Sequence, residues 1–318
     1  SVDYLMFEFM PIEVFDFEIE EYEEKPLLKE ITRGISRGIL FLIELIREIL
    51  IGGVKTIVTF TSWDFVGKNE WAYWPALPWT VVASGAIILG YALKGAGLSI
   101  FVGFSAVYIA VFGQWEPAME TISFVLIAAP ISFVLGLVLG VFAFRNNAIE
   151  SMLNPILNVA QTMPHFSYLV PVMVLFGVGD HAGAIATIIF ATPPMVRLTI
   201  LGLKRVSPEV IEAGMMSGCN EVQLLLKVLI PTARRDILIG VNQVIMQCLA
   251  MAVIASFIGA KGLGFNLLLA LNQLRIGQAL ELGICIVLIA VSLDKLSLAW
   301  ANKQTDYFAD KEFIERYK

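Results

Sequence analysis

The chain has 318 residues, 58% of them hydrophobic and only 16% charged, with a net charge of −6. Mean hydropathy is +0.77. A soluble fold of this size cannot hide that much apolar side chain, so the composition excludes a soluble globular protein and indicates an integral membrane protein. Three cysteines without paired spacing and two histidines exclude a disulfide framework and a histidine-rich metal site.

Residues 1–30 hold ten acids and two lysines among Tyr4, Phe7, Phe9, Phe15 and Phe17. They read as an acidic, aromatic arm, either solvated or docked on the rest. Basic and short apolar regions of a cleavable signal are not seen there. Over 31–51, Ile31, Ile35, Ile39, Leu42, Ile46 and Ile49 recur every three or four positions, with Arg33, Arg37, Glu44 and Glu48 opposite. Five charges from Arg33 to Glu48 oppose spanning, so this reads as an amphipathic helix in the interface plane, with the arm outside. Trp63, Trp71, Tyr73 and Trp74 within 52–78 mark a headgroup-level belt. Residues 1–78 are therefore set apart from a membrane domain, 79–303, and a tail, 304–318.

Apolar runs predict about seven spans, at 79–93, 97–113, 117–144, 164–178, 183–203, 236–258 and 280–301. Pro164, Pro171 and the pair Pro193-Pro194 are expected to interrupt the fourth and fifth. If the 204–235 loop is cytoplasmic, inner loops and the C-terminal tail hold eleven lysines and arginines, and the outer loops between spans hold Lys261 and Arg275. That asymmetry sets the orientation. Gly259 to Gly264 reads as an external turn.

Polar residues inside the spans carry two readings each. Asn242, Gln243 and Gln247 either bond between helices or line a pathway. Gln161, Thr162, His165, Ser167 and Tyr168 cluster at the start of the fourth span; His165 is either a satisfied interface histidine or a substrate ligand. Thr192 and Ser256 are further pathway candidates. Arg197 is expected to snorkel inward, and Asp294-Lys295 to pair near the cytoplasmic face.

The longest well-charged interruption of the apolar region is Val206–Pro231. Ser207-Pro208-Glu209 is a helix start, with hydroxyl cap, proline and acid in order. Gly218 ends or kinks that helix, Asn220-Glu221 starts another, and Pro231 closes the stretch. Glu212-Ala213-Gly214, three residues, Gly218, nine residues, then Val228-Leu229-Ile230-Pro231 resembles the EAA loop of ABC importer membrane subunits, with Gly214 in place of the second alanine.

The resemblance continues from about residue 79 to 303. Met163–Pro171, Leu175–Gly179, Thr192–Thr199, Ala252–Gly259 followed by Gly262-Leu263-Gly264, and Ile289–Leu296 with Leu293-Asp294-Lys295 look like the permease subunits of glycine betaine/proline betaine importers, although Met163-Pro164-His165 departs from the family's usual apolar residue near His165. The resemblance implies an all-α type I importer permease of the bacterial inner membrane. It implies a homodimeric pathway for small quaternary or methylated amines: glycine betaine, choline, carnitine or trimethylamine N-oxide. Two cytoplasmic ATPases would bind the loop through Glu209, Glu212, Ala213, Gly214, Gly218 and Pro231, and an external binding protein would deliver the solute. ATP and Mg belong to the ATPases; this chain has no phosphate-binding G-x-x-x-x-G-K-[ST] and no catalytic constellation, so no enzyme, cofactor or nucleic-acid role is read. Lipid is the other expected partner. The alternative is a stand-alone secondary transporter or channel, which would need inverted repeats and coupling-ion residues at mid-membrane.

Overall fold

The computed structural model describes residues 27–52 and 78–316. The acidic arm before residue 27 and the aromatic stretch 53–77 lie outside the described residues. Within them every regular element is helical: α1 Leu27–Arg47, α2 Trp79–Lys94, α3 Ala96–Val111, α4 Trp115–Arg145, α5 Asn147–Thr162, α6 Phe166–Phe176, α7 Asp180–Lys204, α8 Pro208–Met216, α9 Glu221–Leu224, α10 Ile230–Ile254, α11 Leu263–Asn272 and α12 Ile276–Arg316. A π turn, Glu48–Gly52, continues α1. Another, Leu225–Leu229, joins α9 to α10, and a 3₁₀ turn, Ala255–Ile258, follows α10.

Four stretches are long and apolar enough to cross a membrane: α4, α7, Glu221–Ile258 and Ile276–Lys303. α5 and α6 make a fifth if their pair, bent by 107°, is one span. The first two expected spans correspond to α2 and α3, each of 16 residues. These fold into a hairpin on Gly95, whose φ of +83° suits a residue without Cβ. A Cβ on Gly90 would lie 3.3 Å from Ser99 Cα, so the two backbones touch at this glycine.

α7 is the hub. In its apolar window 72% of the residues are buried. Ala182, Gly183, Ala184, Ala186 and Ala191 are all buried along it, because small side chains let neighbouring helices come close where no water drives them together. α4 runs parallel to it through a Gly136-x-x-x-Gly140 seam. A Cβ on Gly136 would sit 2.5 Å from Met195 Cβ, and one on Gly140 2.5 Å from Thr199 Cβ. α10 runs antiparallel on another side, where Gly202 meets Asp236 and Gly240 meets Met195.

Three expectations change. Residues 145–163 are not a loop: α5 fills them, laying Ile149, Leu153 and Leu157 against Ala143, Val196 and Ile200. That period-four stripe is diluted by Asn154, Asn158 and Gln161, so the hydropathy reading passes over it. Neither Pro171 nor Pro193-Pro194 interrupts its helix: α6 runs on through Pro171 and α7 through the pair. The carbonyls that the pair leaves without an N–H are those of Ile189 and Phe190, one turn earlier, while the hydroxyls of Ser132 and Thr192 donate to the Ile188 carbonyl beside them. Pro231 does not close its stretch. It opens α10, and the π turn before it carries the chain past the missing N–H, with Ile230 N–H donating to Leu225 O, five residues back.

α1 is helical as expected, but it is docked. Ile43 and Ile39 are buried in the main core, while Ile35, Leu42 and Phe41 stay exposed.

Candidate functional site

At the inner end, α8 and α9 form a capped helical turn between α7 and α10. Pro208 is the first residue of α8 and Ser207 holds extended cap backbone, φ −65° and ψ 144°. The Ser207 hydroxyl does not cap the backbone. Instead the Glu209 carboxyl is held below the usual carboxylate range by its own backbone N–H and then by the Ser207 hydroxyl. Ser217 caps the end and Gly218 reverses the chain at φ +78°, with nothing within 4 Å of where a Cβ would stand. Gly218 is therefore demanded by conformation and not by crowding. Asn220 and Gln223 close a reciprocal capping box at the start of α9.

Gly214 is where the two arms of the turn touch. It is buried, and a Cβ there would meet Leu224 Cδ1 at 2.7 Å and Val228 Cγ2 at 3.3 Å. Glu209, Glu212, Ala213 and Pro231 are exposed. So are Met216 at 90%, Leu226 at 58%, Met215 at 57% and Val222 at 55%. Apolar side chains thus stand exposed on a charged loop.

Ion pairs join this turn and the helix ends. Arg145, closing α4, pairs with Glu221, which opens α9. Arg205 reaches Asp236 of α10 at 2.9 Å, and Lys204 reaches Glu150 of α5 at 2.6 Å. The turn is thus tied to α4 by one ion pair and runs into α10 through the π turn Leu225–Leu229.

The structure sorts the polar candidates. Asn242 donates from Nδ2 to Asp294 Oδ1 at 3.1 Å and accepts from the Ser297 hydroxyl, clasping α10 to α12. Gln243 is exposed and Gln247 half-buried, one turn apart on another face. Gln161 is exposed on α5. Tyr168 is buried, and its hydroxyl donates to the Ala160 carbonyl across the α5–α6 bend. His165 and Tyr168 pack on Phe190 with ring centroids 4.4 and 5.4 Å away. Thr192 turns its hydroxyl back to Ile188 O, and the buried Ser256 to Val253 O. Arg197 donates to Asn158 of α5.

One outer constellation was not singled out from sequence. Asp180 Oδ2 accepts from Arg47 at 2.8 Å, while its Oδ1 accepts the Lys261 N–H at 2.7 Å. Arg47 Nε lies 3.8 Å from Glu120. Gly179 N–H donates to Ile258 O, and Leu263 N–H to the Thr121 hydroxyl. The 259–264 turn is therefore knitted to the outer ends of α4 and α7 and, through Asp180, to α1. The charge of Arg47 was legible, but its partner is 133 residues away. Asp180→Asn keeps an acceptor for Lys261 and weakens the Arg47 contact, a charged hydrogen bond of about 1.5–3 kcal/mol. Hydrogen exchange should speed up in α1 and stay unchanged in 259–264. Unchanged exchange in α1 would show that Asp180 does not hold the helix.

Residues 132–302 match the model of the binding-protein-dependent transport system inner membrane component family. The chain belongs to that family. This permease is 61% identical over its full 318 residues to the trimethylamine N-oxide transport system permease protein TmoV of Pelagibacter ubique, covering 44% of that protein. It is 40% identical over 212 residues, 67% of this chain and 60% of the relative, to the glycine betaine/proline betaine transport system permease protein ProW of Escherichia coli. To the glycine betaine transport system permease protein OpuAB of Bacillus subtilis it is 39% identical over 209 residues, 66% of this chain and 74% of that protein. The permease thus spans less than half the length of its TmoV relative. Its fold is shared with a chain of the MetNI methionine ABC transporter in an inward-facing conformation, at TM-score 0.52 and 19% identity, covering 57% of this chain and 92% of that one. It is an inner-membrane, all-α permease of the type I importer fold.

Proposed function

We propose that this permease forms the translocation pathway of an ATP-driven importer for small methylated amines, with trimethylamine N-oxide foremost among glycine betaine, choline and carnitine. The observation that carries the coupling is the α8–α9 turn: capped, reversed at Gly218, and exposing Met215, Met216, Val222 and Leu226. Such a turn suits the cleft of a cytoplasmic ATPase, which supplies the ATP and Mg chemistry. The relative named for trimethylamine N-oxide, matched along the whole chain, supports the substrate. Gln161, Gln243 and Gln247 are retained as the lining; amides without charge suit trimethylamine N-oxide, glycine betaine and carnitine, whose own charges cancel, better than the cation choline. Tyr168 and Ser256, buried within the subunit, are left to packing.

Two copies of the permease would face each other across the amide-bearing side of α10, with two ATPases inside and a binding protein outside. Proteoliposomes holding the permease, its ATPase and its binding protein should take up trimethylamine N-oxide only with ATP. Uptake driven by an ion gradient without the ATPase would mean a secondary transporter instead. Native mass spectrometry should find two permease copies; a single copy, or a second distinct permease, would refute the pairing.

A further inference from the structure

Two exposed aromatic rings meet where the chain breaks between α5 and α6. Phe166 is the first residue of α6, and Phe257 stands in the 3₁₀ turn after α10. Their ring centroids are 5.1 Å apart and their planes cross at 79°. The two residues are 51% and 56% exposed. Rings that hold one another edge to face and stay half open still have ring face to offer a partner.

Their place in the fold says which partner. Met163–His165 belong to no helix, and Pro164 is exposed. His165 packs on Phe190 with ring centroids 4.4 Å apart. Phe190 lies ten residues into α7 from Asp180 at its outer end, about 15 Å of helix. The break is therefore at membrane depth. Irregular backbone at that depth is not covered by lipid; it is buried in protein or lines a watery cavity, and Pro164 is not buried. The direction of Phe257 agrees. From Gln243 or Gln247, steps of about 100° along α10 and about 120° through the 3₁₀ turn bring Phe257 to within about 20° of either amide. Phe257 thus continues the amide-bearing side of α10, about 16 Å outward of Gln247. Gln161 is exposed on the other arm of the break. The ring pair joins the two amide-bearing strips.

We infer that Phe166 and Phe257 receive the methylated nitrogen of the solute on its way through the pathway. This rests on the substrate reading above. Trimethylamine N-oxide, glycine betaine, carnitine and choline share one group, a positively charged nitrogen bearing three methyls. That group has no N–H to donate, so it gains nothing from an amide and is attracted to the face of an aromatic ring. The amides of Gln243 and Gln247 are left to the oxygen-bearing end. Rings without a counter-charge hold the group weakly enough for the solute to leave again.

The test replaces Phe166 and Phe257, one at a time, by phenylalanines carrying one, two or three ring fluorines, which weaken the negative ring face and keep its shape. In proteoliposomes with the ATPase and the binding protein, trimethylamine N-oxide uptake should fall with each fluorine, by about fivefold or more at three, the size of one cation–π contact. Phe166→Leu and Phe257→Leu should lose as much, while Phe104→Leu, on the exposed face of α3, should change nothing. Uptake that does not follow the fluorine series would overturn the site even if the leucine variants are inactive, because the rings would then serve packing alone. Normal uptake by the unsubstituted complex with an indifferent fluorine series removes this site only. An unsubstituted complex that takes up none of the four solutes removes the substrate reading and this site with it.

Discussion

A permease carrying Gly218→Val should reach the membrane at the normal level and import almost nothing. Gly218 sits at φ +78°, and a Cβ there would meet nothing within 4 Å. The cost of the valine is then purely conformational, about 1–3 kcal/mol for a branched residue held in the left-handed region. That is a small share of the stability of a membrane bundle, so the fold survives. It is a large share of what keeps a short exposed turn in shape. Gly218→Asn is the discriminating companion, because asparagine tolerates the left-handed region. It should keep most of the ATP-driven uptake in proteoliposomes that Gly218→Val loses. Equal uptake by Gly218→Val and the unsubstituted permease would remove the turn from the coupling mechanism; equal loss by both variants would mean that the surface itself excludes any side chain.

The second large effect falls on folding. Gly140→Leu should give a permease that cannot be purified as a single species. A Cβ at Gly140 would stand 2.5 Å from Thr199 Cβ and 3.0 Å from Val196 O, atoms close to or on the α7 backbone that cannot step aside. Gly140→Ala is the measurable form, with an overpacking cost of about 1–3 kcal/mol. It should lower the thermal midpoint in detergent, and Gly136→Ala should do the same at Met195. Gly85→Ala is the control: it lies in the apolar α2 and would meet nothing within 4 Å. A Gly140→Ala midpoint no lower than that of Gly85→Ala would mean that α4 and α7 do not pack as described.

Much of this molecule is determined by local pattern. Hydropathy alone marks the long apolar segments, since a bilayer rewards each apolar residue wherever its neighbours lie. The lysines and arginines of the loops give an expected orientation by a separate effect, their retention on the cytoplasmic side. The two-helix turn at 207–231 was also legible, because proline at a helix start, asparagine in a capping box and glycine in a reversed turn act over three or four residues. The α5 helix was hidden because its apolar stripe is narrow and its other faces carry amides. What only the tertiary structure decided are the distant pairings. Arg47 finds Asp180, Arg145 finds Glu221, and Asn242 finds Asp294. Each joins positions that no local periodicity connects. The same holds for the sorting of Gln243 from Asn242: adjacent in sequence, they point about 100° apart on a helix. Which of those directions meets α12 and which stays open was settled only when α12 packed against α10.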